Sequence, residues 1–278
     1  MISRLVGAFL RALLVIWMIA TPSLLLPEAG PDATQVVALV ALFAALITFI
    51  EYASIYPSLI EFRHASPFNR VRFVSLFMTV FLLTVIARGS IAPTAMTEFI
   101  TDIGKIIGFA IDFPYSPVRN MVLTLPDYAD EALVETVRTA AGISYLSSLL
   151  SLAIFVIIIR VFHWPGRFGS FNVWINLPTF DPTAGGDVVV RLHRDARFNI
   201  ALGFLLPFII PAVLKIAAET FEPISLASPQ SLIWMMTAWA FLPSSLFMRG
   251  IAMGRVAQMI EDKRRQRYAE FGEERALA

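Results

Sequence analysis

An all-α bundle of about six membrane-spanning helices is the fold class this sequence predicts, and three observations predict it. Of its 278 residues, 57% are hydrophobic and 15% charged, with a mean hydropathy of +0.71. A soluble chain carries about 25% charged residues, so the apolar excess must face lipid. Apolar stretches near the ~20 residues that a helix needs to cross a bilayer recur between polar interruptions. Their length, without period-2 alternation, selects helix over strand. The basic residues, finally, sort by side.

The expected spans are roughly Leu5–Leu26, Gln35–Pro57, Phe73–Ala87, Ala140–His163, Phe198–Ala218 and Ser231–Met253, within a single membrane domain covering 1–278. With the N-terminus in the cytoplasm, 17 of the 22 Lys and Arg fall on that side and five outside. Positive charge in short loops stays inside. Both termini are therefore expected in the cytoplasm, and a bacterial inner (plasma) membrane is the expected location. Acidic residues divide almost evenly and do not decide the orientation.

The first span could be read as a signal peptide, with Arg4 as its basic region and Ala12–Ala20 as its apolar core. The apolar run continues through Leu24–Leu26 without a good small-residue cleavage site, so a retained anchor is expected. Pro27–Thr34 reads as a short turn, which makes the first two spans antiparallel neighbours. The loop Ser58–Arg72 is broken by Pro57 and Pro67.

The segment Arg88–Arg138 is expected outside as an interfacial helical region. Over Thr97–Phe113 it places Phe99, Ile100, Ile103, Ile106, Ile107, Ala110 and Ile111 on one face, opposite Glu98, Thr101, Asp102 and Lys105. That pattern predicts an amphipathic helix lying in the interface or packed on the bundle. Asp112 opens a two-proline turn, and Pro126-Asp127 begins a further helix, with Asp130 and Glu131 in its first turn, that runs on into the fourth span.

The cytoplasmic loop Trp164–Asp195 has strand-like composition. Phe171–Leu177 and Asp187–His193 flank a Pro/Asp/Gly turn cluster, which predicts a small β-hairpin. A lone hairpin is marginal in water, so it would dock on a partner through Phe171, Val173, Trp174, Val188 and Val190. The tail Gly254–Ala278 reads as helical. Its basic cluster, Lys263, Arg264, Arg265 and Arg267, is expected near anionic lipid headgroups.

Few residues invite chemistry. Glu51 is the one carboxylate well inside an apolar run, and such groups pair with a cation or mark a pathway. Arg249 and Arg160 are the expected partners by depth. Lys215 is expected to snorkel to the headgroups. Pro207 and Pro211 remove backbone hydrogen bonds from the fifth span and predict a kink. His64, His163 and His193 fit no ligand spacing, so neither metal nor cofactor is expected. The chain has no cysteine, which removes thiolate metal sites, disulfides and a cysteine nucleophile. It carries no HExxH, GxSxG, Walker or GxGxxG motif, and no catalytic residue is proposed. Ala140, Ser144 and Ser148 form a small-residue stripe for close helix packing. Trp17, Trp164, Trp174, Trp234 and Trp239 fall mostly near span ends, as an aromatic belt would.

The resulting expectation is a non-catalytic integral membrane protein, an accessory subunit or assembly (scaffold) factor of a larger complex. Its partners would be the lipid bilayer and another membrane protein or a second copy, not nucleic acid. The alternative is a small transporter or channel that uses Glu51 and the proline-containing fifth span.

Overall fold

The computed structural model describes residues 2–26, 31–165, 171–181, 183, 185–220, 226 and 228–277, and among these the chain is helical throughout, without strands. In chain order the helices are α1 (Ile2–Leu25), α2 (Pro31–Ala53), α3 (Phe68–Ile91), α4 (Ala95–Ile111), α5 (Pro117–Val122), α6 (Glu131–Val161), α7 (Val173–Asn176), α8 (Val188–Thr220) and α9 (Pro229–Leu277). Six of them, α1, α2, α3, α6, α8 and α9, are long and apolar enough to cross a membrane. Each overlaps one expected span. Residues 27–30 of the expected first turn, and 182 and 184 of the expected hairpin turn, lie outside the described residues.

Helices α3, α6 and α9 touch one another and form the centre. The α1–α2 pair leans on α3 through α1, and α8 runs along α9. The outer flanks of α2 (Leu39, Phe43, Leu46, Ile50) and α8 (Phe204, Ile209, Val213) remain exposed. In a bilayer such surfaces face acyl chains, which cost them nothing.

Two apolar cores stabilise the bundle. One gathers Phe62, Phe68, Phe155, Trp164, Leu192 and Met248 at the end rich in arginine, hereafter the basic end. The other gathers Val80, Met121, Val137, Ile233, Met236 and Trp239. The expected small-residue stripe is buried, with Ala140, Ser144 and Ser148 all inside. Glycines set the closest helix approaches. A Cβ on Gly203 of α8 would lie 2.8 Å from the Pro243 carbonyl oxygen of α9, and one on Gly250 would lie 2.7 Å from that of Ala196. Small residues substitute here for a hydrophobic drive that lipid does not supply between helices.

Helix α8 continues through both prolines. Pro211 has no N–H to give the carbonyl of Pro207, and the indole Nε1 of Trp239 donates to that carbonyl at 3.1 Å. A neighbouring span thus satisfies the freed acceptor.

The hairpin expectation is overturned. Val173–Asn176 forms one helical turn capped by Asn172, whose side chain accepts from the Ile175 N–H. Val188–His193 is the start of α8, where the Asp187 carboxylate accepts from the Val189 N–H at 2.6 Å. Val, Ile and Trp favour strands only where a pleated surface receives them, and capping side chains won here. Phe171 lies against the rings of Phe62 and Trp164, and Val173 and Val188 pack on the basic-end core, while Trp174 and Val190 stay exposed.

The helix expected from Thr97 is present as α4, with Ile107 and Ile111 of its apolar face packed on the second core. Its buried positions are Thr97, Gly104 and Gly108, whereas Phe99, Ile103, Ile106 and Phe109 point outward. Two tryptophans also depart from a belt: Trp164 and Trp239 are buried in the two cores.

Candidate functional site

Polar side chains gather at three places, and each has a local cause. At the basic end, Glu51 sits in the last turn of α2 and is 5% exposed. The chain leaves the helix and folds back, bringing three backbone N–H groups onto the carboxylate. Ser58 N–H donates to both oxygens at 3.2 and 3.0 Å, and Leu59 and Ile60 donate to Oε2 at 2.9 and 3.0 Å. The Ser58 hydroxyl adds a fourth donor at 2.5 Å. A carboxylate so satisfied is a staple for the loop. Neither Arg249 nor Arg160 reaches it; Arg160 is exposed on α6.

Arg63 completes the loop from the other side. Its guanidinium donates to the carbonyls of Glu51, Ser54 and Ile55, capping the C-terminal end of α2, where positive charge is favoured. Its Nε donates to His64 Nε2 at 3.1 Å, which marks that imidazole as neutral. Burial, then the charges of Arg63, Arg11 and Arg4, hold His64 below its ordinary value.

Beside this loop, Arg249 of α9 grips Glu61 in a two-pronged contact, Nε to Oε2 at 2.6 Å and a terminal nitrogen to Oε1 at 2.8 Å. The Thr179 hydroxyl adds a bond to the same carboxylate at 2.5 Å. Bidentate pairs of this kind are the strong ones. Arg72 lies between the rings of Phe68 and Phe241, 5.1 and 5.7 Å from their centroids. The loop after α2, the α7 turn and α9 are thereby locked together.

At the opposite end, Asp112 closes α4 and is nearly enclosed, its side chain 3% exposed. Arg138 of α6 donates to Oδ2 at 2.7 Å. Arg119 of α5 places Nε 2.8 Å from Oδ1 as an ion pair, without hydrogen-bond alignment. One carboxylate thus joins three helices.

Next to it, between α3, α4, α6 and α9, opens a cavity of about 660 Å³. Leu83, Ile86, Ala140, Leu232 and Ile233 line its apolar part; Glu98, Asp102, Asp130 and Glu135 stand with Lys105 at its polar side. Its size suits a small ligand. Lys105 is already paired with Glu135 at 3.0 Å, both half exposed, a contact of little energetic weight.

Of the other expected residues, Lys215 is exposed on α8. In the tail, Arg264 pairs with Asp187 at 2.7 Å and Arg265 with Glu261 at 2.7 Å, both at the surface. The Arg264 hydrogen bond, followed by the Val189 N–H, holds the Asp187 carboxyl below its ordinary value. No cluster of His, Asp and Glu able to hold a metal occurs among the described residues. Glu61, Asp112, Arg119 and Arg138 are not among the expected site residues, and Arg249, expected on Glu51, binds Glu61 instead. Glu61 sits in a short loop between two spans and Asp112 at a turn, positions where charge is ordinary. Only the fold encloses them. The chain matches no protein-family model, no curated protein and no solved structure.

Replacing Glu51 with glutamine is expected to loosen the loop. A single amide oxygen cannot accept from all four donors, and the amide N–H groups would face N–H groups. Each buried donor left without a partner costs about 1–3 kcal/mol. Limited trypsin digestion should cleave faster after Arg63 in Glu51→Gln than in wild type. An unchanged rate would show that the carboxylate does not hold this loop.

Proposed function

We infer that this protein is a non-catalytic subunit or scaffold of a larger assembly in a bacterial inner membrane, with both termini cytoplasmic. The observation that carries this reading is the shape of α9. It runs 49 residues as one helix, and positions 262–270 beyond its packed part are exposed all round. A helix polar on every face reaches into solvent to meet something rather than to support its own fold. With the β-hairpin gone, this arm replaces it as the docking element. The internal use of Glu51, Glu61 and Asp112 supports the same reading, because these carboxylates serve the fold instead of a pathway.

Mild-detergent purification of the tagged full chain should yield a membrane polypeptide in fixed stoichiometry, lost when residues 262–278 are removed. A full-length protein that purifies alone at full cellular yield would overturn the subunit reading.

A small transporter is the second reading, favoured by the cavity between α3, α4, α6 and α9. It requires a flux that depends on Glu51 or on the acidic side of the cavity. Glu51→Gln and Asp102→Asn leaving every flux unchanged would remove it.

A further inference from the structure

We propose that the start of α1 and the end of α2 together hold the phosphate of one anionic glycerophospholipid. Arg4 and Arg11 are seven residues apart on α1, two turns, and so share a face. The Arg11 guanidinium lies 4.6 Å over the ring of Tyr52 on α2 and donates to the Gly7 carbonyl of its own helix at 2.6 Å. Arg63 approaches from the loop below, close enough for its charge to act on Tyr52, and Arg4 and Arg63 act on each other. Arg11 and Arg63 therefore converge on Tyr52, and Arg4 stands with them through its closeness to Arg63 and its place on the Arg11 face of α1.

Among the described residues, no ion pair includes Arg4, Arg11 or Arg63. Glu51 is the carboxylate whose charge acts on Arg63, and its oxygens are taken by Ser58, Leu59 and Ile60. Arg63 spends its own donors on three carbonyls and Arg11 gives one to Gly7, so Arg63 contributes field while Arg4 and the remaining Arg11 donors can reach a ligand. Like charges crowded at the edge of a low-dielectric region repel strongly, and a phosphate with charge-assisted hydrogen bonds relieves this.

The surroundings select a lipid as the source of that phosphate. The cluster lies at the ends of two spans, where headgroups sit. Ile55, Tyr56 and Leu59 beside it are exposed and apolar. Leu10 and Leu14 on α1, with Leu46 and Ile50 on α2, continue the exposed apolar surface along which acyl chains lie. The tail cluster is a poorer candidate. Arg264 and Arg265 are already paired, and Lys263 follows Arg249 by 14 residues of unbroken helix, about 21 Å at 1.5 Å per residue.

Native mass spectrometry of the full chain in detergent, titrated with phosphatidylglycerol or phosphatidylcholine, tests this. Wild type should retain one phosphatidylglycerol roughly tenfold more tightly than phosphatidylcholine, about 1.4 kcal/mol. The double substitution Arg4→Gln, Arg11→Gln should bring the two lipids level, whereas Lys263→Gln, Arg267→Gln should keep the preference. Both α1 arginines are exposed, and Arg11→Lys, which keeps charge but loses the fork, should give an intermediate preference if the double variant does not fold. Equal affinities in wild type, or an undiminished preference without Arg4 and Arg11, would overturn the proposal. So would displacement of the lipid by excess inorganic phosphate, which would identify a free anion as the ligand.

Discussion

Alanine in place of Asp112 is expected to destabilise the protein by about 3 kcal/mol, near the lower end of what removing one partner of a buried pair costs. The lower end is appropriate because the two cations are less enclosed than the acid. Side-chain exposure is 37% for Arg119 and 26% for Arg138, against 3% for Asp112. Water can therefore rehydrate part of each guanidinium once the carboxylate is gone. The loss is more than electrostatic, since Asp112 stands at the C-cap of α4, with its own N–H on the Gly108 carbonyl at 3.1 Å. Its removal frees the joint between α4, α5 and α6. In a chain of this size about 3 kcal/mol corresponds to a midpoint lowered by roughly 6–12 °C. Thermal unfolding in detergent, followed by helical circular dichroism, reads this directly. Arg138→Gln should lose more than Arg119→Gln, because Arg138 makes the aligned hydrogen bond to the carboxylate at 2.7 Å, whereas Arg119 hydrogen-bonds only the Asp112 carbonyl, at 3.5 Å. A change below about 1 °C for Asp112→Ala would show that the cluster is not structural.

The spans were readable because a bilayer demands length and apolarity, and both are written locally in the chain. The start of α6 was readable to about a turn: the helix is expected from Pro126-Asp127, whereas Asp130 is its N-cap and accepts from the Leu133 N–H at 3.0 Å, with Glu131 first in the helix. The loop between α6 and α8 was misread for a physical reason. Its Val, Ile and Trp content carries strand preference, but Asn172 and Asp187, at the head of the two runs just before Val173 and Val188, stand at capping positions. Those caps were the available signal. The partner of Glu51 had no signature at all, since backbone N–H groups donate whatever the residue type. Depth along the spans points only to side chains such as Arg249, which the fold gives to Glu61. Helix α4 was read by its large apolar residues, although Gly104 and Gly108 already spelled a small-xxx-small face. In a membrane the large residues can face lipid, and the small ones mark the contact.

That inversion yields the other large expected effect. The same substitution, glycine to alanine, should have opposite signs at Gly142 of α6 and Gly254 of α9. A Cβ at Gly142 would lie 2.5 Å from the Cα and 2.8 Å from the nitrogen of Gly108. These are backbone atoms, so relief requires α4 to move as a body. It cannot rotate away cheaply, because Gly108 itself faces the Arg138 carbonyl, where an added Cβ would meet oxygen at 2.8 Å. Overpacking of this kind costs about 1–3 kcal/mol, more than the ~1 kcal/mol that alanine returns in helix preference. Gly142→Ala is thus expected to destabilise, and Gly142→Leu to detach α4 and open the neighbouring cavity. At Gly254 a new Cβ would come no nearer than 3.9 Å to a neighbour, the Ala196 Cβ, an ordinary contact. There the helix preference is uncompensated, and Gly254→Ala should stabilise by up to about 1 kcal/mol. Unfolding midpoints of the two variants, measured side by side, decide the matter: a Gly142→Ala protein as stable as Gly254→Ala would mean that α4 does not rest on α6 through Gly108.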